Sequence, residues 1–289
     1  MYYLQLLVNG VIAGSVYALF AVGLTMTYGV FRFINFAHGE LIAWGAYGVL
    51  LFSSPPFNWP IILAVIPGLL LTVALALASD RFVYTPLRQA DRITLLIASI
   101  GLSYFLRNAL AFFFGSDLAT YHTELRSGLE YGGIFFTHIQ LGMVVTAVVF
   151  LGGLYLLLTR TLLGKAFRAV SDNMELGLIM GLPLKRISYG VWVLAGIFAG
   201  SGGILLALDT NLDPNMGVIN LIKAFAAVLL GGAGNVWGAL FGGLFIGVAE
   251  NLSVAFISPG YKDFIAFAVI LIMLLFRPQG LFAVARGVR

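Results

Sequence analysis

The sequence predicts an all-α protein: a polytopic transmembrane helix bundle with about eight spans, several of them short or broken. Of its 289 residues, 61% are hydrophobic and 10% are charged, whereas soluble domains carry about 25% charged residues. Apolar stretches of roughly 20 residues recur, and this length suits a helix that crosses a ~30 Å hydrocarbon core. The short alternating segments of a β-barrel are absent. We therefore predict a single transmembrane domain over residues 1–289.

The apolar stretches place the spans in order. Residues 4–30 follow an N-terminus without a basic region, so this stretch is predicted to remain as a helix and not to be a signal peptide. The run from 218 to 257 is too long for one helix and is predicted to break at Gly231–Asn235, which gives either two short spans or a re-entrant pair. The other predicted spans are residues 41–54, 60–79, 93–114, 139–159, 188–208 and 261–276.

Charge predicts which loops face the cytoplasm. Positive residues mark the cytoplasmic side, and they concentrate in two loops and the C-terminal tail: Arg81, Arg88, Arg92, Arg160, Lys165, Arg168, Lys185, Arg186, Arg277, Arg286 and Arg289. Acidic residues dominate the intervening segments, which are predicted to lie outside: Asp117, Glu124, Glu130, Asp209, Asp213 and Asp263. The C-terminus is thus predicted to be cytoplasmic and the N-terminus external, although only Arg32 supports the N-terminal side.

Glycines four residues apart predict close helix packing, because small residues let helix backbones approach each other in a membrane. The predicted packing residues are Gly10, Gly14, Gly196, Gly200, Gly234, Gly238 and Gly242. The segment Gly10–Ser15 resembles Gly196–Ser201, and Asn35 and Asn220 follow at nearly the same offset. This pattern indicates a faint repeat whose copies run in opposite directions, as in inverted-repeat transporters.

Polar residues inside apolar segments are candidates for function, since ionisable groups in a membrane are costly. Asn35, His38 and Glu40 fall in one short stretch between two spans. They either fix the turn between the spans or line a pathway. Lys223, Glu250 and Asn251 are the second group; for these, pathway lining, snorkelling of the lysine and pairing with a partner subunit all remain open. Arg107 is predicted to anchor the outer end of its span.

The segment 160–187 is predicted to be a cytoplasmic loop with one short amphipathic helix. Ser171 or Asp172, followed by Asn173 and Glu175, suits a helix start. Gly181 and Pro183 suit its end. One apolar face is formed by Leu176, Ile179 and Met180. Such a helix either lies on the lipid surface or docks into a cleft of a soluble partner.

Several motifs together resemble the branched-chain amino acid ABC permeases. They are Gly23–Val30, Ile34–Glu40, Gly45–Tyr47, Tyr84–Arg88, Ile100–Gly101, Gly164–Arg186, Lys223–Gly232, Tyr261–Asp263 and Arg277–Leu281. The resemblance covers nearly the whole chain in order. It is closest to the shorter permease subunit of such systems.

That resemblance implies a transport subunit and not an enzyme. Its expected partners are a second permease subunit in a heterodimer, two cytoplasmic ATPase subunits, a substrate-binding protein and the lipid bilayer of a bacterial or archaeal cytoplasmic membrane. ATP and Mg would be bound by the ATPase subunits, since Gly164-Lys165-Ala166 lacks the hydroxyl of a P-loop. The 160–187 loop would supply the coupling helix. No cofactor, metal, catalytic residue or nucleic acid is expected for this chain.

Three alternatives remain open. The same machine transports another substrate, such as urea, short amides or other amino acids, because urea permeases share the Asn-Xaa-Ala-His-Gly-Glu pattern. The chain is an ion-coupled secondary transporter whose intramembrane charges bind the ion. The third alternative is a channel or scaffold subunit without energy coupling.

Overall fold

The computed structural model describes residues 1–121 and 128–282, and this part of the chain is an almost entirely helical bundle. Glu124, Arg286 and Arg289 of the charge analysis lie outside the described residues. The α-helices are α1 Tyr2–Phe31, α2 His38–Ser53, α3 Ile61–Ser79, α4 Arg92–Phe114, α5 His138–Arg160, α6 Leu162–Asp172, α7 Met174–Ile179, α8 Leu184–Asp209, α9 Met216–Gly231, α10 Val236–Ser253 and α11 Lys262–Phe276. A π-helical turn, Asp80–Tyr84, extends α3.

A short hairpin and an isolated β-bridge between Ala119 and Leu212 depart from the all-α prediction in the described ranges. Strands β1 (Leu129–Tyr131) and β2 (Ile134–Phe136) pair in antiparallel register, with Glu130 opposite Phe135. The hairpin lies beside the start of α1, where Gln5 bonds the backbone of Phe135 in both directions.

The predicted spans are confirmed. Seven helices of the described chain are long and apolar enough to cross a membrane, and α2 and α9, with 16 residues each, are the predicted short ones. The central α1 and α8 each bury 72% of their most apolar window, whereas the peripheral α11 buries only 11%. The apolar faces of the peripheral helices are therefore available to lipid or to another subunit.

The predicted break near residue 231 is confirmed, and its chemistry is local. Gly232 and Gly234 have φ values of +95° and +92°, a backbone conformation that favours glycine. The Asn235 side chain then accepts hydrogen bonds from the N–H groups of Trp237 and Gly238, which starts α10. Gly234 thus belongs to the turn, and its prediction as a helix-packing residue was wrong.

The bundle has two distinct ends. At the first, here called the basic end, Arg32 donates to the Ser171 carbonyl, and Gly280 packs on Gly232. At the second, the hairpin end, Gln140 of α5 donates to Asp209 of α8 over 3.2 Å. The loops that charge assigns to the cytoplasm meet at the basic end, so the predicted alternation of spans agrees with the fold.

The helix packing supports the predicted inverted repeat. Phe20 of α1 lies against Gly202 of α8, and Gly23 lies against Ala195, so these two helices run in opposite directions. Helix α1 packs along α10, and α8 packs along α3. These contacts are the ones expected if the triplet α1–α3 corresponds to the triplet α8–α10 in inverted orientation, and the repeat stays a prediction.

The two halves meet where α2 and α9 begin. A Cβ on Gly39 would lie 2.6 Å from the Gly217 carbonyl, and a Cβ on Gly217 would lie 2.5 Å from the Gly39 carbonyl. This reciprocal contact makes the two glycines equivalent. Asn35 precedes Gly39 by four residues, and Asp213 precedes Gly217 by the same number. Each side chain accepts a hydrogen bond from the backbone N–H two residues later. The correspondence of Asn35 with Asn220 stays a prediction, and Asp213 is the residue with the matching local hydrogen bond.

The remaining predicted packing glycines do lie at close helix contacts. Gly10 and Gly14 of α1 meet Val248 and Leu244 of α10, with 2.7 Å and 2.8 Å between a built Cβ and the facing Cα. Gly196 and Gly200 of α8 lie against α3, and Gly238 and Gly242 of α10 lie against α9.

Candidate functional site

The first candidate group lies at the buried start of α2. Asn35 is 1% exposed, and its Oδ1 accepts from the Ala37 N–H at 3.1 Å and from the Tyr84 hydroxyl at 2.7 Å. One side chain thus joins the turn before α2 to the π-helical turn after α3. These contacts support the turn-fixing interpretation, and a pathway role for Asn35 stays a prediction.

His38 fixes α2 to the centre of α1. Its Nε2 lies 3.1 Å from the Phe20 carbonyl oxygen, and since a carbonyl only accepts, Nε2 carries the proton. The ring sits in the space left by Gly23, because a Cβ there would lie 2.8 Å from the imidazole. His38 is fully buried. Its contact Phe20 lies twelve residues along α1 from the basic-end turn at Arg32. The start of α2 therefore lies well inside the bundle.

Glu40 forms the charged contact of this group. Its Oε1 accepts from Arg107 Nη2 at 2.9 Å and from the Ser103 hydroxyl at 2.9 Å, both on α4. Glu40 is completely buried, whereas the Arg107 side chain is 21% exposed. Arg107 thus has a specific partner inside the chain, and its role as an anchor at the outer end of its span stays a prediction.

The second candidate group forms one connected cluster towards the hairpin end. Lys223 Nζ lies 3.1 Å from the Tyr17 hydroxyl, 3.4 Å from Glu250 Oε2 and 2.9 Å from Asp263 Oδ1. Tyr17 in turn donates to Glu250 Oε2 at 2.9 Å. The structure therefore pairs these charges within one chain. Lys223 therefore does not snorkel to the membrane surface in this structure, and Glu250 pairs within the chain and not with a partner subunit.

Asn251 extends the cluster. Its Nδ2 donates to the Gly247 carbonyl, and its Oδ1 accepts from Lys262 Nζ at 3.1 Å. A cavity of about 520 Å³ adjoins these side chains, between the outer part of α1 and the segments near α5, α8 and α11. The intramembrane charges predicted from the sequence thus border an open space.

The described segment that follows α4, residues 115–121, contacts α2. Tyr121 donates to the Ala46 carbonyl at 2.6 Å. Burial raises the pKa of the Tyr121 phenol, so the group stays protonated and continues to donate this bond.

The 160–187 loop holds two helices where one was predicted. Ser171 and Asp172 end α6, so their prediction as the cap was wrong. Asn173 is the N-cap of α7, and its side chain accepts from the Leu176 N–H at 3.0 Å. Gly181, with φ +74°, ends the helix as predicted. The side chain of Glu175 is not among the described ones.

The apolar residues of α7 and its C-cap are exposed. Leu176 is 55% exposed, Ile179 is 80% and Met180 is 74%. Gly177, on the opposite side, packs against Val170 of α6, 3.0 Å from a built Cβ. The predicted apolar face thus points away from the bundle.

Sequence analysis missed the partners of the buried charges. Tyr17, Ser103 and Arg107 complete the two groups, yet each lies in a different span from its partner. A further pair at the basic end was also missed: Arg88 lies 2.9 Å from Asp80 and bonds Ser188 at the start of α8. In the sequence, Tyr17, Ser103 and Arg107 are each a charged or hydroxyl residue inside an apolar span. Such a residue indicates a buried polar contact, but it does not indicate which residue is the partner.

These observations define a multi-pass membrane transport subunit. Buried paired charges lie among apolar spans, two half-helices meet inside the bundle, and an exposed apolar helix projects at one end.

The chain belongs to the family described as branched-chain amino acid transport system / permease component, which matches residues 6–274. It is 34% identical to the high-affinity branched-chain amino acid transport system permease protein BraD of Pseudomonas aeruginosa, over 97% of this chain and 95% of that protein. It is 32% identical to the corresponding protein LivH of Escherichia coli, over 97% and 96%. A probable LivH of Methanocaldococcus jannaschii is 28% identical, over 96% and 91%.

Among solved structures, PsaBC from Streptococcus pneumoniae in complex with Fab aligns with a TM-score of 0.51 and 15% identity. The alignment covers 96% of this chain and 93% of that chain. At this identity the likeness shows the fold alone. The family and the apolar spans together make this chain a multi-pass protein of the cytoplasmic membrane.

Proposed function

We propose that this chain is a permease subunit of an ABC importer that moves leucine, isoleucine and valine across the cytoplasmic membrane. The observation that carries the proposal is the family match along residues 6–274. The relatives named for high-affinity branched-chain amino acid transport support it, since they match the chain over nearly its full length.

The machine needs partners that supply energy and substrate. Two cytoplasmic ATPase subunits bind ATP and Mg, a substrate-binding protein delivers the amino acid, and a second, different permease subunit completes the pathway. The described chain offers no P-loop to replace the ATPases, because its Gly164-Lys165 is followed by alanine.

The surface formed by Leu176, Ile179 and Met180 is the proposed ATPase contact. An amphipathic helix that presents its apolar residues outward is suited to a groove on a partner. Residues 171–181 then form the coupling segment, with Asn173 holding the start of α7 and Gly181 its end. This assignment places the basic end and the C-terminus in the cytoplasm.

Transport proceeds by alternating access in this proposal. ATP binding brings the ATPases together, α7 transmits the movement, and the path opens in turn to the two sides. A ligand shifts the equilibrium between the outward-open and inward-open states only by the difference between its affinities for the two states.

Copurification and uptake test the proposal. The tagged chain is purified from gently solubilised native membranes, and ATP-dependent leucine uptake is measured in vesicles that contain the recovered assembly and the binding protein. We expect ATPase subunits to copurify and uptake to require ATP. The triple variant Leu176→Ser, Ile179→Ser, Met180→Ser should lose the ATPases.

A matched control changes three equally apolar exposed residues at the other end of the molecule. Ile62, Leu63 and Ile66 of α3 are 84%, 56% and 62% exposed, and their change to serine should leave the ATPases bound. An assembly without ATPases, or uptake that collapses with a protonophore and persists without ATP, contradicts the proposal and favours an ion-coupled transporter.

A further inference from the structure

The cavity beside the second charged group combines charges of both signs with an apolar wall. Its volume of about 520 Å³ falls in the range of small-molecule sites, roughly 300–1,000 Å³. It lies near the hairpin end, between α1 and the ends of five other helices. The ionisable side chains that line it are Tyr17, Asp209, Lys223, Glu250, Lys262 and Asp263.

Glu250 brings an unused acceptor to this cavity. The residue is 1% exposed, and its Oε2 is engaged by Tyr17 and Lys223. Its Oε1 is buried and has no hydrogen-bond partner in the described part of the chain. A buried carboxylate oxygen without a donor is unfavourable. Because the Glu250 side chain that carries it lines the cavity, a ligand that enters beside this side chain can supply the missing N–H donor.

Lys223 does not fill that role. Its ammonium group has three N–H donors, and it already faces three oxygens, those of Tyr17, Glu250 Oε2 and Asp263 Oδ1. A ligand ammonium would instead find Glu250 Oε1 and the carboxylate of Asp209, which lines the same cavity and whose Oδ1 accepts from Gln140.

Lys262 supplies the opposite chemistry. Its Nζ donates to Asn251 Oδ1 at 3.1 Å, and an ammonium group retains two further N–H donors. These suit a carboxylate. Between the charged positions the wall is apolar and contains Ile12, Val16, Met143 and Leu206.

We propose that this cavity binds a zwitterionic amino acid with an aliphatic side chain. The ligand ammonium meets Glu250 Oε1, the ligand carboxylate meets Lys262, and the side chain lies on the apolar wall. The identification of the ligand as a branched-chain amino acid rests on the proposed function, whereas the ammonium and carboxylate contacts rest on the cavity itself. The site lies within one subunit, at the hairpin end of the bundle.

Equilibrium binding to the whole assembly tests the site. The assembly is purified through a tag on this chain, placed in lipid nanodiscs without the binding protein, and titrated with radiolabelled leucine. Two competitors each lack one charge: 3-methylbutylamine has no carboxylate, and 4-methylpentanoate has no ammonium. The variants are Glu250→Gln, Lys262→Gln and the control Glu130→Gln, which alters an exposed carboxylate of the hairpin.

We expect saturable leucine binding that the control leaves unchanged. Glu250→Gln should weaken leucine and the amine by about tenfold or more, because a charge-assisted hydrogen bond is lost, and it should spare the competing acid. Lys262→Gln should show the reverse preference. It serves as the second variant in case Glu250→Gln fails to assemble, which gel filtration reports.

Absence of saturable binding, or an equal loss for all three ligands in both variants, overturns the site. The proposed function fails separately, when the wild-type assembly does not import leucine with ATP and the binding protein. If import fails but 3-methylbutylamine still binds in a way that depends on Glu250, the site is supported without the proposed function. If 3-methylbutylamine does not bind either, the site is overturned as well.

Discussion

At the scale of single residues, this chain pairs three of its buried carboxylates with basic side chains. Glu40 meets Arg107, Glu250 meets Lys223, and Asp80 meets Arg88. Such pairs add little net stability when compared with well-packed apolar residues, but removal of one member leaves an uncompensated charge. Each partner is therefore needed chiefly because the other is buried, and the pair itself adds little to the free energy of unfolding.

The Glu40–Arg107 pair gives a direct test. Arg107→Met should destabilise the assembly by about 3–5 kcal/mol, because the fully buried Glu40 then lacks its counter-charge. The double variant Arg107→Met, Glu40→Gln should recover part of that loss. Thermal unfolding followed by size-exclusion chromatography measures both changes.

Arg92→Met, at the exposed first position of α4, is the matched control and should unfold like the wild type. If the double variant is no more stable than the single one, the pair is not the source of the effect.

The sequence identified the acidic and basic members of these groups only partly. Glu40, Lys223 and Glu250 stand out, because ionisable residues are rare in apolar segments. Their partners Tyr17 and Arg107 do not, since a tyrosine is ordinary in a span and an arginine near a span end suggests an anchor. The pairing depends on which helices are neighbours, and hydropathy carries no information on that.

At the scale of helices, close approach through glycine is the recurring device. Gly203 of α8 faces the Ile42 carbonyl of α2, with no room for a Cβ, whereas Gly152 of α5 has no atom within 4 Å of that position. The two glycines lie inside long helices and differ only in what they face. They therefore separate packing from intrinsic helix propensity.

Alanine at each position should act in opposite directions. Gly203→Ala should destabilise by about 1–3 kcal/mol through overpacking. Gly152→Ala should be neutral or stabilise by up to about 1 kcal/mol, because alanine favours a helix. Thermal unfolding in the same detergent compares them, and equal effects would show that the α2–α8 contact is less close than described.

Asn173 tests the role of the cap of α7. Asn173→Ala removes the acceptor of the Leu176 N–H and should weaken the helix by about 0.5–2 kcal/mol. Hydrogen exchange over residues 174–180 should accelerate, and leucine-stimulated ATP hydrolysis should fall. Asn173→Asp keeps the acceptor and is the matched control; unchanged exchange in Asn173→Ala would contradict the assignment.

The sequence predicted the helix boundaries well where a helix begins and ends with its apolar stretch. The break before α10 was also predictable, because adjacent glycines and an asparagine mark a turn. The division of the 160–187 loop into α6 and α7 was not, since Ser171, Asp172 and Asn173 are all good caps. Burial of Val170 against Gly177 selects Asn173, and that contact is tertiary.

At the scale of the whole molecule, the chain has two chemically different ends. The basic end gathers α6, α7 and the loop with Arg88, and the hairpin end gathers β1, β2 and the cavity. The sidedness of these ends is predicted by charge.

Because the sequence has no cysteine, single cysteines report sidedness without background. Glu130→Cys should react with a membrane-impermeant maleimide in intact cells. Lys185→Cys should react only after the membrane is permeabilised. The opposite pattern would reverse the orientation, and labelling of both residues in intact cells would point to leaky membranes, which a cytoplasmic marker protein controls.

The reciprocal contact of Gly39 and Gly217 also has an electrostatic consequence. Helices α2 and α9 both begin there, so their N-termini meet inside the bundle, each equivalent to roughly half a positive elementary charge. Glu40 Oε2 lies 3.2 Å from the position of a Cβ on Gly217, next to both helix starts. The meeting point of the two halves thus carries a positive potential, and the buried Glu40 turns one oxygen to it while Arg107 holds the other.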